Sequence, residues 1–263
     1  MQLAVYHFDA FTDQPFGGNP AAVCPLGSWL DDETLRKVAA ENNLSATAFF
    51  VPKGPVYELR WFTPVCEIRL CGHATLAAGF VILNELSPDA IEVLFETRFS
   101  GRLTVRKESN QFCMDFPALP PCRTAGDNQL MEALGQPGTP RVVLEANDTF
   151  VAVFDEPDSV ANFQPKFERL EKLHPRAVVI TAPGKDVDFV SRYFAPSYGV
   201  PEDPVTGSAH CILTPYWAKR LGKSGLRARQ LSERGGELWC EIAGDRVILK
   251  AGAVLTMQAT LTI

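Results

Sequence analysis

The chain has 263 residues, 46% of them hydrophobic, and a net charge of −6 at pH 7. An acidic chain with no cluster of Lys and Arg is not expected to bind nucleic acid. The first residues show no signal-peptide pattern and no apolar run is long enough to span a bilayer, so we expect a cytoplasmic protein without membrane contact. The seven cysteines form no CxxC pair, which predicts neither disulfides nor a metal site.

The first part of the chain is predicted to be mostly strands, from apolar periodicity and the positions of turn residues. A helix capped by Asp31 or Asp32 is expected to end near Glu41. A second helix, at 74–86, is apolar nearly all round, which predicts that it is buried. In chain order we predict strands at 3–9 and 21–24, the first helix, strands at 46–51 and 57–62, the buried helix at 74–86, and a three-stranded meander at 92–95, 101–107 and 111–116 with a turn at 109–110.

A proline-rich segment at 117–126 predicts a link between two domains, residues 1–117 and 118–263, although the last strand could pack back on the first domain. After the link we predict a helix at 129–134, strands at 141–144 and 150–153, a short helix at 167–172, strands at 177–181 and 189–194, a second buried helix at 211–221, and strands at 237–242, 246–249 and 253–263.

An internal repeat sets the expected architecture. The pentapeptide RWFTP at 60–64 returns as RYFAP at 192–196, half the chain later. Each copy is followed by a small polar turn and an apolar helix, with Gly72 in the first turn and Gly207 in the second. Repeated order and spacing indicate duplication. We therefore predict an α+β protein of two similar domains, each a curved, mostly antiparallel sheet wrapped round a central buried helix.

The two helix starts are candidate binding sites for an anionic group of a small substrate. A glycine at a helix start leaves the first backbone amides accessible, and the positive end of the helix dipole favours an anion. One glycine of this kind, considered alone, is as often part of a simple turn as part of a binding site. The presence of two, at Gly72 and Gly207, leads us to expect one cleft between the domains that both helix starts face.

Seven motifs stand out along the chain: DAFT at 9–12, GNPAAV at 18–23, NLS at 43–45, RWFTP at 60–64, Glu67, CGHAT at 71–75 and EDPVTGSAH at 202–210. Together they resemble the phenazine-biosynthesis isomerase-like (PhzF-like) family, which is related in fold to diaminopimelate epimerase. The resemblance implies a biosynthetic, cofactor-independent isomerase that forms a homodimer and moves a proton on a small carboxylated substrate.

The resemblance also implies the positions of the site. Catalytic roles fall on His73 and Asp203, and the substrate-binding candidates are Asn19, Gly72, Thr206, Gly207 and Ser208. One position departs from the family, which typically has a glutamate after the serine of its N-L-S-E-T segment. This chain has Ala46 there. That glutamate is the family's proton carrier, and a methyl group cannot take up a proton.

Three side chains are candidates to replace the missing carboxylate. Asp203 has the right chemistry, although it also fits a hydrogen bond within its own turn. His73 could shuttle a proton near neutral pH. Cys71 occupies the position of one catalytic thiol in the related epimerases, and a helix N-terminus lowers the pKa of a thiol. Its counterpart in the repeat is Thr206, whose hydroxyl is too weak an acid to act as a second thiol.

Three activities therefore stay open: an isomerase using Asp203, His73 or both, a thiol-dependent epimerase using Cys71, and a catalytically silent small-molecule binding protein. Glu67 is interpreted as a brace for its turn. His210 and Cys211 are interpreted as core residues.

Overall fold

The computed structural model describes residues 1–109, 111–124, 127–135 and 139–263. Asn110 of the predicted turn and the last two residues of the predicted link lie outside these ranges. The chain divides into two compact units: unit 1 comprises Met1–Phe116 and Leu249–Ile263, and unit 2 comprises Pro117–Ile248. The prediction of an α+β fold dominated by strands is confirmed. No helix in the described ranges is long and apolar enough to cross a bilayer.

The helices of the described chain are α1 (Asp32–Asn42), α2 (Gly72–Phe80), α3 (Asp127–Leu134), α4 (Pro157–Ala161), α5 (Phe167–Glu171) and α6 (Gly207–Leu221). A π-helical segment (Val81–Leu86) continues α2, and a 3₁₀ turn lies at Pro196–Tyr198. The strands are β1 (Gln2–Ala10), β2 (Asn19–Pro25), β3 (Ala46–Lys53), β4 (Val56–Phe62), β5 (Glu67–Ile68), β6 (Glu92–Thr97), β7 (Gly101–Glu108), β8 (Gln111–Pro117), β9 (Cys122–Arg123), β10 (Val142–Ala146), β11 (Thr149–Val153), β12 (Ala177–Pro183), β13 (Phe189–Ala195), β14 (Val200–Asp203), β15 (Gly225–Gln230), β16 (Gly236–Ala243), β17 (Arg246–Ala251) and β18 (Ala253–Thr262).

Unit 1 is built round helix α2. Strand β1 pairs antiparallel with both β18 and β2, β2 runs parallel to β3, and β3 pairs antiparallel with β4. The predicted meander of β6, β7 and β8 is confirmed. Helix α2 packs against β1, β2, β3, β7 and β18, and residues 73–79 are all buried. The absence of a polar face in the sequence is thus explained, because sheet surrounds the helix.

Helix α1 covers the other face of strand β3. Leu35 and Val38 of α1 form a core with Phe49 and Val51 of β3. Because side chains alternate along a strand, Ala46 and Ala48 point to the face opposite that core. Both are fully buried. Asp31 caps α1 by accepting a hydrogen bond from the Thr34 amide at 2.9 Å, as one of the two predicted caps.

Unit 2, like unit 1, contains both antiparallel and parallel strand pairs. Strands β10 and β11 are antiparallel, β11 is parallel to β12, and β13 pairs antiparallel with β12 and parallel with β15. Helix α6 packs on β15 and β16. Strand β9 pairs with β10, so the predicted link at 117–126 contains a strand. Strand β14 and helix α4 were not predicted because they are short. Strand β15 was not predicted either: its burial alternates, but of its buried residues Leu226 and Ala228 are apolar and the third is Gln230.

Candidate active site

Both buried helices begin at a glycine that follows an extended residue. Helix α2 starts at Gly72 after Cys71, whose φ and ψ are −143° and 106°. Helix α6 starts at Gly207 after Thr206, whose φ and ψ are −113° and 103°. Neither preceding residue caps its helix with a side-chain hydrogen bond. Helix starts of this kind suit a carboxylate, which can accept hydrogen bonds from first-turn amides.

Each helix start is fixed by a side chain from the next turn. Thr75 Oγ1 donates to the Cys71 carbonyl at 2.6 Å, and His210 Nδ1 lies 2.8 Å from the Thr206 carbonyl. Since a carbonyl only accepts, Nδ1 of His210 carries the hydrogen. Burial lowers the pKa of His210 to about 4, so the ring is neutral at physiological pH. The interpretation of His210 as a core residue is confirmed.

In unit 1 the predicted site residues gather round His73, which is 7% exposed. Its Nε2 lies 3.0 Å from Ser45 Oγ. The same hydroxyl oxygen is 2.9 Å from Asn19 Oδ1 and 2.7 Å from the Pro20 carbonyl oxygen. The start of β2, the residue before β3 and the start of α2 therefore meet in one cluster, which brings Asn19, Cys71 and His73 together.

The Cys71 thiol lies against the imidazole ring of His73. Its sulfur is 3.5 Å from Nδ1 and 3.7 Å from Nε2. A bond in the ring plane to one nitrogen would leave the sulfur much further from the other, so the thiol lies over the face of the ring. Burial lowers the pKa of His73 to about 3. The expectation that His73 titrates near neutral pH is therefore wrong for the free protein, because desolvation disfavours the imidazolium.

Ala46 occupies the first position of strand β3 and pairs with Ala21 of the parallel strand β2. It is fully buried, on the strand face opposite α1, and directly follows Ser45. No carboxylate stands at this point of the strand. His73 and Cys71 are ionisable groups that a hydrogen bond and a sulfur contact join to the cluster.

In unit 2 the predicted residues are held by Gln230, which is fully buried. Its Oε1 accepts from the Thr206 amide at 2.9 Å, and its Nε2 donates to the Asp203 carbonyl at 2.6 Å. Thr206 Oγ1 in turn donates to Asp203 Oδ2 at 2.5 Å. The short hydrogen bond from the hydroxyl group fixes the orientation of the Asp203 carboxylate. The structure thus brings Asp203 and Thr206 together.

The other two predicted residues of unit 2 differ in exposure. Gly207 is buried, whereas Ser208 is exposed at the start of α6. Ser208 follows Gly207 as His73 follows Gly72. The position directly after the glycine is therefore a serine in one turn of the repeat and a histidine in the other. In the described ranges no three His, Cys, Asp or Glu side chains are grouped closely enough to hold a metal ion.

Each turn is braced by one arginine from the repeated pentapeptide. Arg60 Nε and Nη2 donate to the two carboxylate oxygens of Glu67 at 2.7 and 2.8 Å. Arg192 Nε and Nη2 donate to those of Glu202 at 2.7 and 2.9 Å. The interpretation of Glu67 as a brace is confirmed. The repeat in the sequence therefore corresponds to the same two-point ion pair before each helix start.

Two residues of these clusters were missed by sequence reasoning. Ser45 belongs to the NLS motif at 43–45 but had no assigned role. Its contact with His73 joins residues that are 28 positions apart in the chain. Gln230 lies on β15, which was not predicted, and meets Thr206 across 24 positions. A buried glutamine has no local signal in the sequence. The contact of Ser45 with His73 and that of Gln230 with Thr206 become visible only when the strands and loops are placed in three dimensions.

The chain is similar to known proteins along nearly its whole length. The family model described as phenazine biosynthesis-like protein matches residues 8–259. An uncharacterized isomerase of Pseudomonas aeruginosa is 50% identical over 261 residues, covering 99% of both chains. The crystal structure of a PhzF-family phenazine biosynthesis protein from Enterococcus faecalis is 42% identical, covers 100% of both chains and has a TM-score of 0.94.

A more distant structure defines the wider fold. A predicted epimerase from Pseudomonas aeruginosa is 21% identical and has a TM-score of 0.75, covering 99% of both chains. At that identity the likeness shows the fold alone, which is epimerase-like. The match of the family model over nearly the whole chain, together with relatives named isomerases, places this protein among isomerase-like enzymes. The chain belongs to the phenazine biosynthesis-like (PhzF) family.

Proposed function

We propose that this chain is a cofactor-independent isomerase that moves a proton on a small carboxylated metabolite. The observation that carries the proposal is the same in each unit. A buried helix starts at a glycine without a capping side chain, beside a cluster able to exchange or orient a proton. Backbone amides bind the carboxylate, and the neighbouring side chains act on the adjacent carbon.

Asp203 is the proton carrier that best fits the proposal. Ala46 removes the family's usual carboxylate, and His73 is neutral in the free protein, so it accepts a proton but does not donate one. Asp203 is half-buried, and its Oδ2 is oriented by Thr206. A carboxylate held in this way keeps one orientation, and a carboxylate is able to take up and release a proton.

A thiol-dependent epimerase is the second candidate, and the contact between Cys71 and His73 supports it. The sulfur lies over the face of a neutral imidazole, 3.5 Å from Nδ1, so a small movement of the thiol into the ring plane would bring its proton to a base. Thr206 stands where a second thiol would be needed. A silent binding protein is the third candidate, supported by the methyl group at Ala46.

Solvent-proton exchange separates these candidates. A panel of cyclohexadienyl and amino-acid carboxylates is incubated with the protein in heavy water, and deuterium uptake is followed by NMR. We expect Asp203→Asn to slow exchange about 10²- to 10⁴-fold. If Cys71→Ala or thiol alkylation abolishes exchange while Asp203→Asn does not, the thiol-dependent epimerase is favoured. Binding of a panel member without any exchange supports the silent binding protein.

Ala46→Glu tests whether the missing carboxylate limits the rate. Ala46→Gln is the matched control, because it adds the same volume without a titratable proton. We expect only the glutamate variant to raise exchange. Since position 46 is fully buried, desolvation should raise the pKa of the new carboxyl group. Equal effects of both variants would mean that shape at this position matters and proton transfer there does not.

Gly72→Val tests carboxylate binding at the start of α2. The added side chain blocks approach to the first-turn amides, so binding of the carboxylate should be lost while the protein stays folded. Gly27→Val is the control, since a Cβ at Gly27 meets nothing within 4 Å. Unchanged binding by the Gly72 variant would show that this glycine is only a turn. The homodimer and the cytoplasmic location expected from the sequence stay predictions.

A further inference from the structure

Ser45 is placed to decide which nitrogen of His73 carries a hydrogen. Its Oγ has three polar neighbours: the Pro20 carbonyl oxygen at 2.7 Å, Asn19 Oδ1 at 2.9 Å and His73 Nε2 at 3.0 Å. A serine hydroxyl has one hydrogen to donate and two lone pairs that accept. The hydroxyl cannot donate to all three neighbours.

The carbonyl of Pro20 settles the direction. It only accepts, and it makes the shortest of the three contacts, so it takes the hydroxyl hydrogen. If the hydrogen pointed to His73 instead, two oxygens would face each other at 2.7 Å with no hydrogen between them. The same reasoning requires the Asn19 amide to present its Nδ2 to Ser45, because an amide oxygen there would leave a second pair of oxygens at 2.9 Å with no hydrogen between them. Ser45 then donates to Pro20 and has two lone pairs that accept from Asn19 and His73. Nε2 of His73 must therefore supply its own hydrogen to Ser45.

A neutral imidazole carries only one ring hydrogen, and burial keeps His73 neutral. With that hydrogen on Nε2, Nδ1 has a free lone pair. We propose that Ser45 is a positioning residue that holds His73 in the Nε2–H tautomer, so that Nδ1 is the proton acceptor of unit 1. The catalytic meaning of this inference rests on the proposed function, whereas the tautomer itself does not.

The assignment gives the Cys71 thiol a defined partner. Nε2 is occupied by its bond to Ser45, so Nδ1 is the ring nitrogen whose in-plane lone pair can take a proton from a substrate carbon. The thiol lies over the ring face with its sulfur 3.5 Å from Nδ1, and must move into the ring plane before it can pass its own proton to that lone pair. The transfer moves one proton to Nδ1 and leaves the electron pair on sulfur or carbon. The imidazolium formed still donates from Nε2 to Ser45, so the ring does not have to turn.

His210 provides an internal control within the same molecule. Its Nδ1 donates to the Thr206 carbonyl, which assigns it the opposite tautomer. The experiment is nitrogen-15 NMR of the full-length, ligand-free protein labelled at histidine, near pH 7. Nitrogen shifts distinguish protonated from bare ring nitrogens, and His73→Gln identifies the signals of His73 by their loss. We expect the Nε2–H form for His73 and the Nδ1–H form for His210.

Two substitutions of Ser45 then test the cause. Ser45→Ala removes the acceptor of the Nε2 hydrogen, so His73 should lose its single tautomer and populate the Nδ1–H form. Ser45→Thr keeps a hydroxyl and should keep the wild-type tautomer. An Nδ1–H form of His73 in the wild-type protein overturns the inference, as does a Ser45→Ala variant whose Nε2–H form is unchanged. If the alanine variant does not fold, the spectra of the wild-type protein and of the threonine variant still show whether His73 adopts the Nε2–H form.

Activity is a separate readout. No substrate is present during the NMR measurement, so the tautomer can be confirmed even if no panel carboxylate exchanges a proton. In that case the proposed function fails and the assignment stands. With an active substrate, Ser45→Ala should lower kcat more than it changes KM, because a wrongly placed proton affects the reaction step and not binding.

Discussion

Replacing Arg192 by alanine should destabilise the protein markedly, because the bidentate partner of Glu202 is lost. The two side chains are 12% and 20% exposed. Among the described residues, Arg192 is the one side chain that pairs with Glu202. The guanidinium also donates to the Phe163 carbonyl at 2.7 Å and lies over the Phe194 ring. Breaking a fully buried pair costs roughly 3 to 5 kcal/mol, and the partial exposure of Glu202 places this loss at about 3 kcal/mol.

The equivalent change in unit 1 should cost less. Glu67 accepts from Arg60 but also from Arg98, whose Nη1 is 3.1 Å away. After Arg60→Ala a second arginine still partners the carboxylate, so we expect a loss of about 1 to 2 kcal/mol. The repeat in the sequence would suggest equal losses. The structure predicts that the brace in unit 2 is the more sensitive one.

Urea unfolding followed by far-ultraviolet circular dichroism measures both free energies. Arg192→Lys is the control, since it keeps the charge and loses the two-point geometry, and should fall between wild type and Arg192→Ala. Adding Glu202→Gln to Arg192→Ala should recover part of the loss by removing the unpaired charge. Equal losses for the two alanine variants, or a loss below about 1 kcal/mol for Arg192→Ala, would refute the reasoning.

Three further results are expected. Gln230→Met should cost about 1 to 3 kcal/mol in urea unfolding, because the amide of Thr206 loses its buried acceptor; a loss near zero would contradict the assigned hydrogen bond. Gly79→Ala should destabilise by about 1 to 3 kcal/mol, since the new Cβ would lie 2.6 Å from Cγ1 of Val105; a neutral result would mean that Val105 moves easily. For His210, whose pKa is lowered to about 4, the unfolded chain takes up a proton that the folded chain does not. Its contribution is complete above about pH 6.5 and falls by up to about 1.4 kcal/mol per unit as the pH drops towards 4, so His210→Gln should flatten the stability profile in that window.

The sequence by itself determined the two central helices and the turns before them. An apolar run without a polar face can only be buried, and a glycine before it permits the tight entry, so the starts near Gly72 and Gly207 followed from local pattern. The α+β class followed from the mixture of these helices with alternating segments. All of this information lies within a few neighbouring residues.

The tertiary structure alone decided which polar groups meet. Ser45 reaches His73 because the loop before β3 ends beside the start of α2, and Gln230 reaches Thr206 because β15 lies beside α6. Burial also reversed the expected behaviour of His73, whose pKa falls to about 3 once the ring is desolvated. Hydrogen-bond partners and desolvation depend on groups far apart in the chain. Periodicity and motifs describe one segment at a time. They therefore do not predict the distances between groups in different segments.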